Sequence, residues 1–339
     1  MRIGVFDHFD QAGVPLAQQF AERLRLIEAY DQLGFYAYHV AEHHGTPLGL
    51  APSPGIFLAA AAARTSRLRL GPLVYSLPLY HPVRLIEEVC MLDQLSGGRF
   101  DLGVGRGVSP IEVGFYGVNP ADGPRQFPEA LQVLKRGLTS DTLTFDGEFY
   151  HFTDVPMVLR PVQRPHPPLW YGVTAPATAH WAAVERAHMV TLAPTSAAAV
   201  VIDRYKSEWT ALGHAGPLPM RGVMRHVVLA DTDAAAFATA RRAYTSWLGH
   251  MRLLWDQKGI PFTLPLPPTI EQMVETGASF VGTAGGLREF IATHVEAIDA
   301  DYLACDVAFG DMTFDETMRT VEIVGRDVIP ALSARPAGV

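Results

Sequence analysis

Three ionisable side chains in a row, Glu42-His43-His44, follow the extended stretch Tyr38-His39-Val40-Ala41 and precede Gly45. An imidazole titrates near neutrality, so it can give or take a proton during a reaction. Successive strand residues face opposite ways, so at most one of the two histidines points to the ligand side. His43 is the candidate general acid or base. The plainer alternative is a loop histidine bonded to the backbone. Adjacent histidines do not suit a barrel metal hydrolase, which presents a pair at i and i+2; a metal site is not expected.

A second stretch, Gly103-Val104-Gly105-Arg106-Gly107, lets backbone approach a ligand closely and offers one guanidinium. Such a group pairs with phosphate through two parallel hydrogen bonds. The alternative for Arg106 is a surface salt bridge. A third stretch, Tyr171 to Thr178, reads as a strand running into a helix. The free amides at a helix start, here around Ala177 and Thr178, attract anions, although an ordinary cap looks the same. Arg125 is either a further phosphate partner or a solvated charge. His8, Tyr75 and His81 fall at or just beyond strand ends and are candidates for a substrate pocket. The apolar residues from Trp247 to Pro268 suit a lid, or else a packed helix and a surface loop.

Such groups meet only if the strands carrying them lie side by side. Arg2 to Phe6 reads as a strand, and Leu16 to Leu33 as an amphipathic helix stopped by Gly34. The second strand is the one ending at Glu42. Pro54 to Thr65 is an alanine-rich helix, Arg69 to Leu77 a strand, His81 to Leu95 a helix, and Arg99 to Val104 a strand. This alternation signals a parallel sheet with crossover helices, either doubly wound or closed. It breaks between about residues 107 and 168, which read as an insertion holding one helix and a short extended region. It resumes with strands at Pro168 to Val173, Met189 to Leu192, Met220 to Leu229 and Asp301 to Val307. A loop or lid spans about 251–282. The count of strands matches a (β/α)8 TIM barrel, whose active sites lie at the carboxyl ends of its strands. The whole of residues 1–339 is expected to form one domain.

Composition bounds the rest. Of 339 residues, 48% are apolar, enough for a large core, and the net charge of −8 disfavours nonspecific nucleic-acid binding. The two cysteines, Cys90 and Cys305, lie far apart in apolar segments, which suits a reducing compartment. The start reads directly as a strand, and no apolar run has the length of a membrane span. A cytoplasmic protein is expected.

Taken together, Ala41-Glu42-His43-His44, Leu77 to Arg84, Leu92 to Phe100 and Gly103 to Gly107 resemble the bacterial luciferase-like flavin monooxygenase family. The resemblance runs nearly end to end and implies the closed barrel. It implies a two-component monooxygenase using reduced FMN from a separate NAD(P)H-dependent reductase. Dioxygen would form a flavin C4a-hydroperoxide, which oxygenates a small organic substrate. His43 falls on the family's catalytic histidine and Glu42 on the acid before it. Arg106 and Arg125 fall on phosphate-binding positions, and Thr178 with the Ala177 amide on the phosphate-binding helix start. Leu73-Val74 falls on a non-prolyl cis peptide beneath the flavin ring. Gly105 replaces luciferase's reactive cysteine, which weakens any case for light emission. A homodimer through the Pro54–Thr65 and His81–Leu95 helices is implied. The same superfamily offers two alternatives: a deazaflavin-dependent hydride-transfer enzyme and a non-catalytic flavin-binding protein.

Overall fold

The computed structural model describes residues 1–107 and 109–334. Its strands are β1 (Arg2–Asp7), β2 (Ala37–Val40), β3 (Arg69–Pro72), β4 (Tyr75–Ser76), β5 (Leu102–Gly105), β6 (Thr142–Asp146), β7 (His151–Pro156), β8 (Leu169–Gly172), β9 (His188–Thr191), β10 (Arg221–Leu229), β11 (Ser279–Gly282) and β12 (Tyr302–Asp306). The α-helices are α1 (Leu16–Leu33), α2 (Pro54–Ala62), α3 (Pro82–Leu95), α4 (Pro110–Phe115), α5 (Gly123–Thr139), α6 (Pro176–Val184), α7 (Thr195–Ala211), α8 (Asp233–Lys258), α9 (Ile270–Glu275), α10 (Ala284–Phe290), α11 (Phe314–Ile323) and α12 (Ile329–Ser333).

The parallel strands run in the order β3-β2-β1-β12-β10-β9-β8-β5-β4. Strands β3 and β4 are two halves of one stave, interrupted at the cis peptide Leu73–Val74. The parallel bridge Leu70–Phe100 and the β4–β5 pairing close the ring. With β11 set aside as an extra strand beside β10, eight staves remain, as the alternation predicts.

Alternation of residue size explains both faces. On β1, Ile3 and Val5 pack outward with Leu26, Ile27 and Tyr30 of α1. That helix ends at Gly34, whose left-handed φ of 82° lets its N–H reach Tyr30 O. Inward, the barrel floor is plugged by rings: Trp170 lies 4.8 Å from His39 and 5.1 Å from Tyr302. Glycine makes room for them, because a Cβ on Gly4 would sit 2.0 Å from the Tyr302 hydroxyl. Two residues further along the strands come Phe6, Ala41, Met224 and Ala304, part of one apolar cluster. Two further still come His8, His43, His226 and Asp306. The polar groups therefore gather where the strands end.

Two expected boundaries change. The segment 107–168 is not one insertion: α5 within it places Leu131, Val133, Leu134 and Leu138 in the main core. It is the crossover helix after β5, with extra chain on either side, including the β6–β7 hairpin. The segment 251–282 holds the end of α8, then α9 and β11; only 259–269 and 276–278 lack a regular element. Among the described residues, no helix is long and apolar enough to cross a membrane.

Candidate active site

The closed side of the mouth is built from β1, β2, β12, β10 and the helices α4 and α8. The capping spacing of Ser109 and Glu112 starts α4: the Ser109 hydroxyl accepts the Glu112 N–H at 3.3 Å. The Glu112 carboxylate is then free to turn to β2. It lies 3.2 Å and 3.3 Å from His43 Nδ1 and accepts the His44 N–H at 2.8 Å. Burial alone pulls the His43 pKa down, but the hydrogen bond and charge of Glu112 override it, so the net shift is upward. Burial raises Glu112, and His43 more than compensates, leaving that carboxylate below its ordinary range.

Glu42 is a clamp. It lies 3.0 Å from His44 Nε2, takes the Tyr80 hydroxyl at 2.7 Å and the Ser76 N–H at 3.3 Å, and its side chain is fully buried. His44 Nδ1 in turn lies 2.8 Å from the Tyr116 hydroxyl.

His8 is brought to the mouth, its ring 5.7 Å from that of His43. Its Nδ1 lies 3.2 Å from Asp306 Oδ2. Burial lowers the His8 pKa to about 4 and raises Asp306 to about 7. His226, also lowered by burial to about 4, approaches Asp306 at 3.6 Å. Helix α8 leans over this side. Trp247 packs edge-on against His226 at 4.5 Å, and His250 holds Asp10 at 3.1 Å.

The opposite side, where β5 and β8 end, is open. Arg106 is exposed and has no carboxylate partner among the described residues. It borders a cavity of about 260 Å³ lined by Pro78, Pro110, Val113 and Gly123. Val104 pairs with Tyr171, so the loops leaving β5 and β8 are neighbours. Thr178 spends both its N–H and its hydroxyl on Ala175 O, at 3.0 Å and 2.8 Å. The Ala177 amide, in the first turn of α6, has no intrahelical acceptor. A Cβ on Gly105 would sit 2.3 Å from a Val74 methyl, so a larger residue there requires Val74 to shift. A Cβ on Gly172 would meet nothing within 4 Å, and Leu192 is 42% exposed. This wall is unfilled.

Three expected residues lie elsewhere. Tyr75 turns to α3 and donates to Glu88 at 2.7 Å, because alternation past the cis peptide sends it outward. His81 is the exposed residue before α3, its ring 5.7 Å from Phe152 of the hairpin. Arg125 is exposed on α5 and spent on Asp122, at 2.5 Å, and on Glu148. Glu112, Asp306 and His226 join the site from the structure alone, while Trp247 opens the stretch read as a lid. Asp306 had a signal, an acid ending the last strand. Glu112 had one too, three residues after a serine.

A parallel eight-stave barrel with imidazole–carboxylate pairs at its carboxyl rim, and an unpaired cation across from them, defines an α/β-barrel enzyme. The sequence matches the luciferase-like monooxygenase family over residues 1–298. The chain belongs to that family. It is 40% identical over 330 residues to the uncharacterized protein y4wF of Sinorhizobium fredii, covering 97% of this chain and 96% of that one. It is 26% identical over 258 residues to the oxygenase component of the flavin-dependent trigonelline monooxygenase of Acinetobacter baylyi, covering 74% and 71%. Among solved structures, monooxygenase RslO1 of Streptomyces bottropensis superposes with a TM-score of 0.88 at 27% identity, over 98% of this chain and 100% of that one.

Proposed function

We propose that the protein is the oxygenase of a two-component monooxygenase that takes reduced FMN from a separate reductase. The observation that carries this reading is Arg106, without a carboxylate partner among the described residues, on the loop after β5, whose neighbour β8 leads into the start of α6. The fit is supported by the open wall at Gly172 and Leu192, which leaves room for a flat ring, and by the Ala177 amide near the Arg106 loop. Arg106 and the Ala177 amide would hold the phosphate, and Leu73 and Val74 would support the ring. Arg125 would join them only by leaving Asp122 and Glu148.

Reduced FMN, when bound, supplies the electrons that activate dioxygen. The chain's own residues do the rest. Glu112 favours the protonated form of His43, so that His43 can supply a proton at its Nε2. Trp247, Leu192 and the apolar end of α8 limit water at the reacting centre. Glu42 holds the His44 ring and the Ser76 backbone still. We also propose a homodimer through α2 and α3, supported by exposed Ile56, Met91 and Leu95 on those helices.

The test is anaerobic loading followed by oxygen. Protein mixed with reduced FMN should consume oxygen and change the course of FMN reoxidation; a reduced deazaflavin should do neither. Turnover with the deazaflavin under nitrogen, and no effect on FMN reoxidation, would contradict the reading.

A further inference from the structure

His8 has no role so far, yet its surroundings constrain it closely. Its Nδ1 lies 3.2 Å from Asp306 Oδ2 and 3.4 Å from Trp247 Nε1. An indole nitrogen only donates. Nδ1 therefore accepts, and the ring proton sits on Nε2. The Asp306 carboxyl, while protonated, donates to the same Nδ1, and two long distances suit one shared acceptor. Burial holds Asp306 up to about 7 and His8 down to about 4, in keeping with a neutral ring beside a neutral acid. His8 Nε2 has no protein partner among the described residues.

His43, 5.7 Å away, matches it: Nδ1 is spent on Glu112 and Nε2 is unpartnered. The nearby carboxylates are already used. Glu112 serves His43 and the His44 N–H, while Asp10 serves His250 and the Gly310 N–H. The polar atoms left without a partner nearby, Asp306 Oδ1 and the His226 nitrogens, are buried from solvent, so among the described residues the mouth offers two N–H donors and no accessible carboxylate beside them. We propose that His8 and His43 form a donor pair that recognises a carbonyl or carboxylate oxygen of the substrate, and that His8 thereby sets the substrate class. This rests on the function proposed above.

The groups facing this pair are few. Asp306 is faced by His8 and His226 and feels the charges of Asp7 and Arg23. His8 feels Asp10, His43 and Asp7. Once Asp306 ionises it accepts instead, drawing the His8 proton to Nδ1 with loss of the long Trp247 contact and turning Nε2 into an acceptor.

The experiment uses FMN-loaded protein and two probes of one shape, cyclohexanone and methylenecyclohexane, titrated calorimetrically. Near pH ~6 the wild type should bind the ketone about tenfold more tightly. His8→Leu should reduce the ratio below about twofold, while His8→Gln, whose amide still donates, should keep most of it. Near pH ~8.5 the wild type should lose the preference, and Asp306→Asn, whose amide donates at any pH, should retain it. A ratio near one in the wild type at the lower pH, no binding of either probe, or an unchanged ratio in His8→Leu would overturn the proposal. Failure to load FMN would instead count against the cofactor reading.

Discussion

The two sides of the barrel mouth are made differently. On the β1–β2 side the ionisable groups at the rim are paired with one another: His43 has Glu112, His44 has Glu42, His8 has Asp306 and Asp10 has His250. On the β5–β8 side Arg106 has none among the described residues, Gly172 faces open space and Leu192 is partly exposed. Proton-handling groups need fixed positions and neighbours that set their charge, so the fold builds them in advance. A charge meant for a ligand must stay free, because a protein partner would compete for it. On the proposed function, the closed side handles protons and the open side seats the cofactor.

That contrast can be broken by substitution. The largest effect should come from Glu42→Ala on the closed side. It strands the Tyr80 hydroxyl, the Ser76 N–H and the His44 ring in a buried place. Loss of about 3 kcal/mol in urea unfolding is expected, since each unsatisfied buried group costs about 1–3 kcal/mol. A loss under about 1 kcal/mol would mean that the clamp carries little of the closed side.

A smaller effect is expected from Glu112→Gln. Without the carboxylate, burial dominates and the His43 titration midpoint should fall below the ordinary histidine value, as read by NMR of the ring. The sign for stability follows from both partners. His43, raised, contributes stability below its unfolded value of 6.5 that is lost as pH rises through its folded value. Glu112, lowered, contributes above its unfolded value of 4.5 and loses that contribution as pH falls through its folded value. The gap between wild type and Glu112→Gln should therefore be widest between pH 4.5 and 6.5. A gap that does not vary with pH would show that the pair is not ionic.

How much of this was legible in the sequence depends on whether a group is held by its own strand or by a distant one. The staves were readable because inward glycines and outward β-branched residues alternate along them. The places of His43 and Arg106 just past strand ends were readable because each lies within a distinctive run. Tyr75 and His81 misled because Tyr75 faces α3, where it bonds Glu88, and His81 lies beyond the short turn after β4. Arg125 misled because its partner Glu148 lies across a hairpin, 23 residues on. The Glu112–His43 contact spans 69 residues and the His8–Asp306 contact 298. No local pattern announces either pairing. The second follows only from barrel closure, which brings the first and last strands together, and the first from α4 folding back over the end of β2.

The claim on which the rest stands is that Arg106 awaits a phosphate. It is tested by measuring the affinity of oxidised FMN and of riboflavin, which lacks the phosphate, for wild type, Arg106→Ala and Arg125→Ala. A charge-assisted contact contributes about 1.5–3 kcal/mol, so Arg106→Ala should weaken FMN about 10- to 100-fold. Riboflavin should change by less than about threefold, and Arg125→Ala should move FMN no more than that. Equal losses for FMN and riboflavin in Arg106→Ala, or no loss for either, would contradict the account.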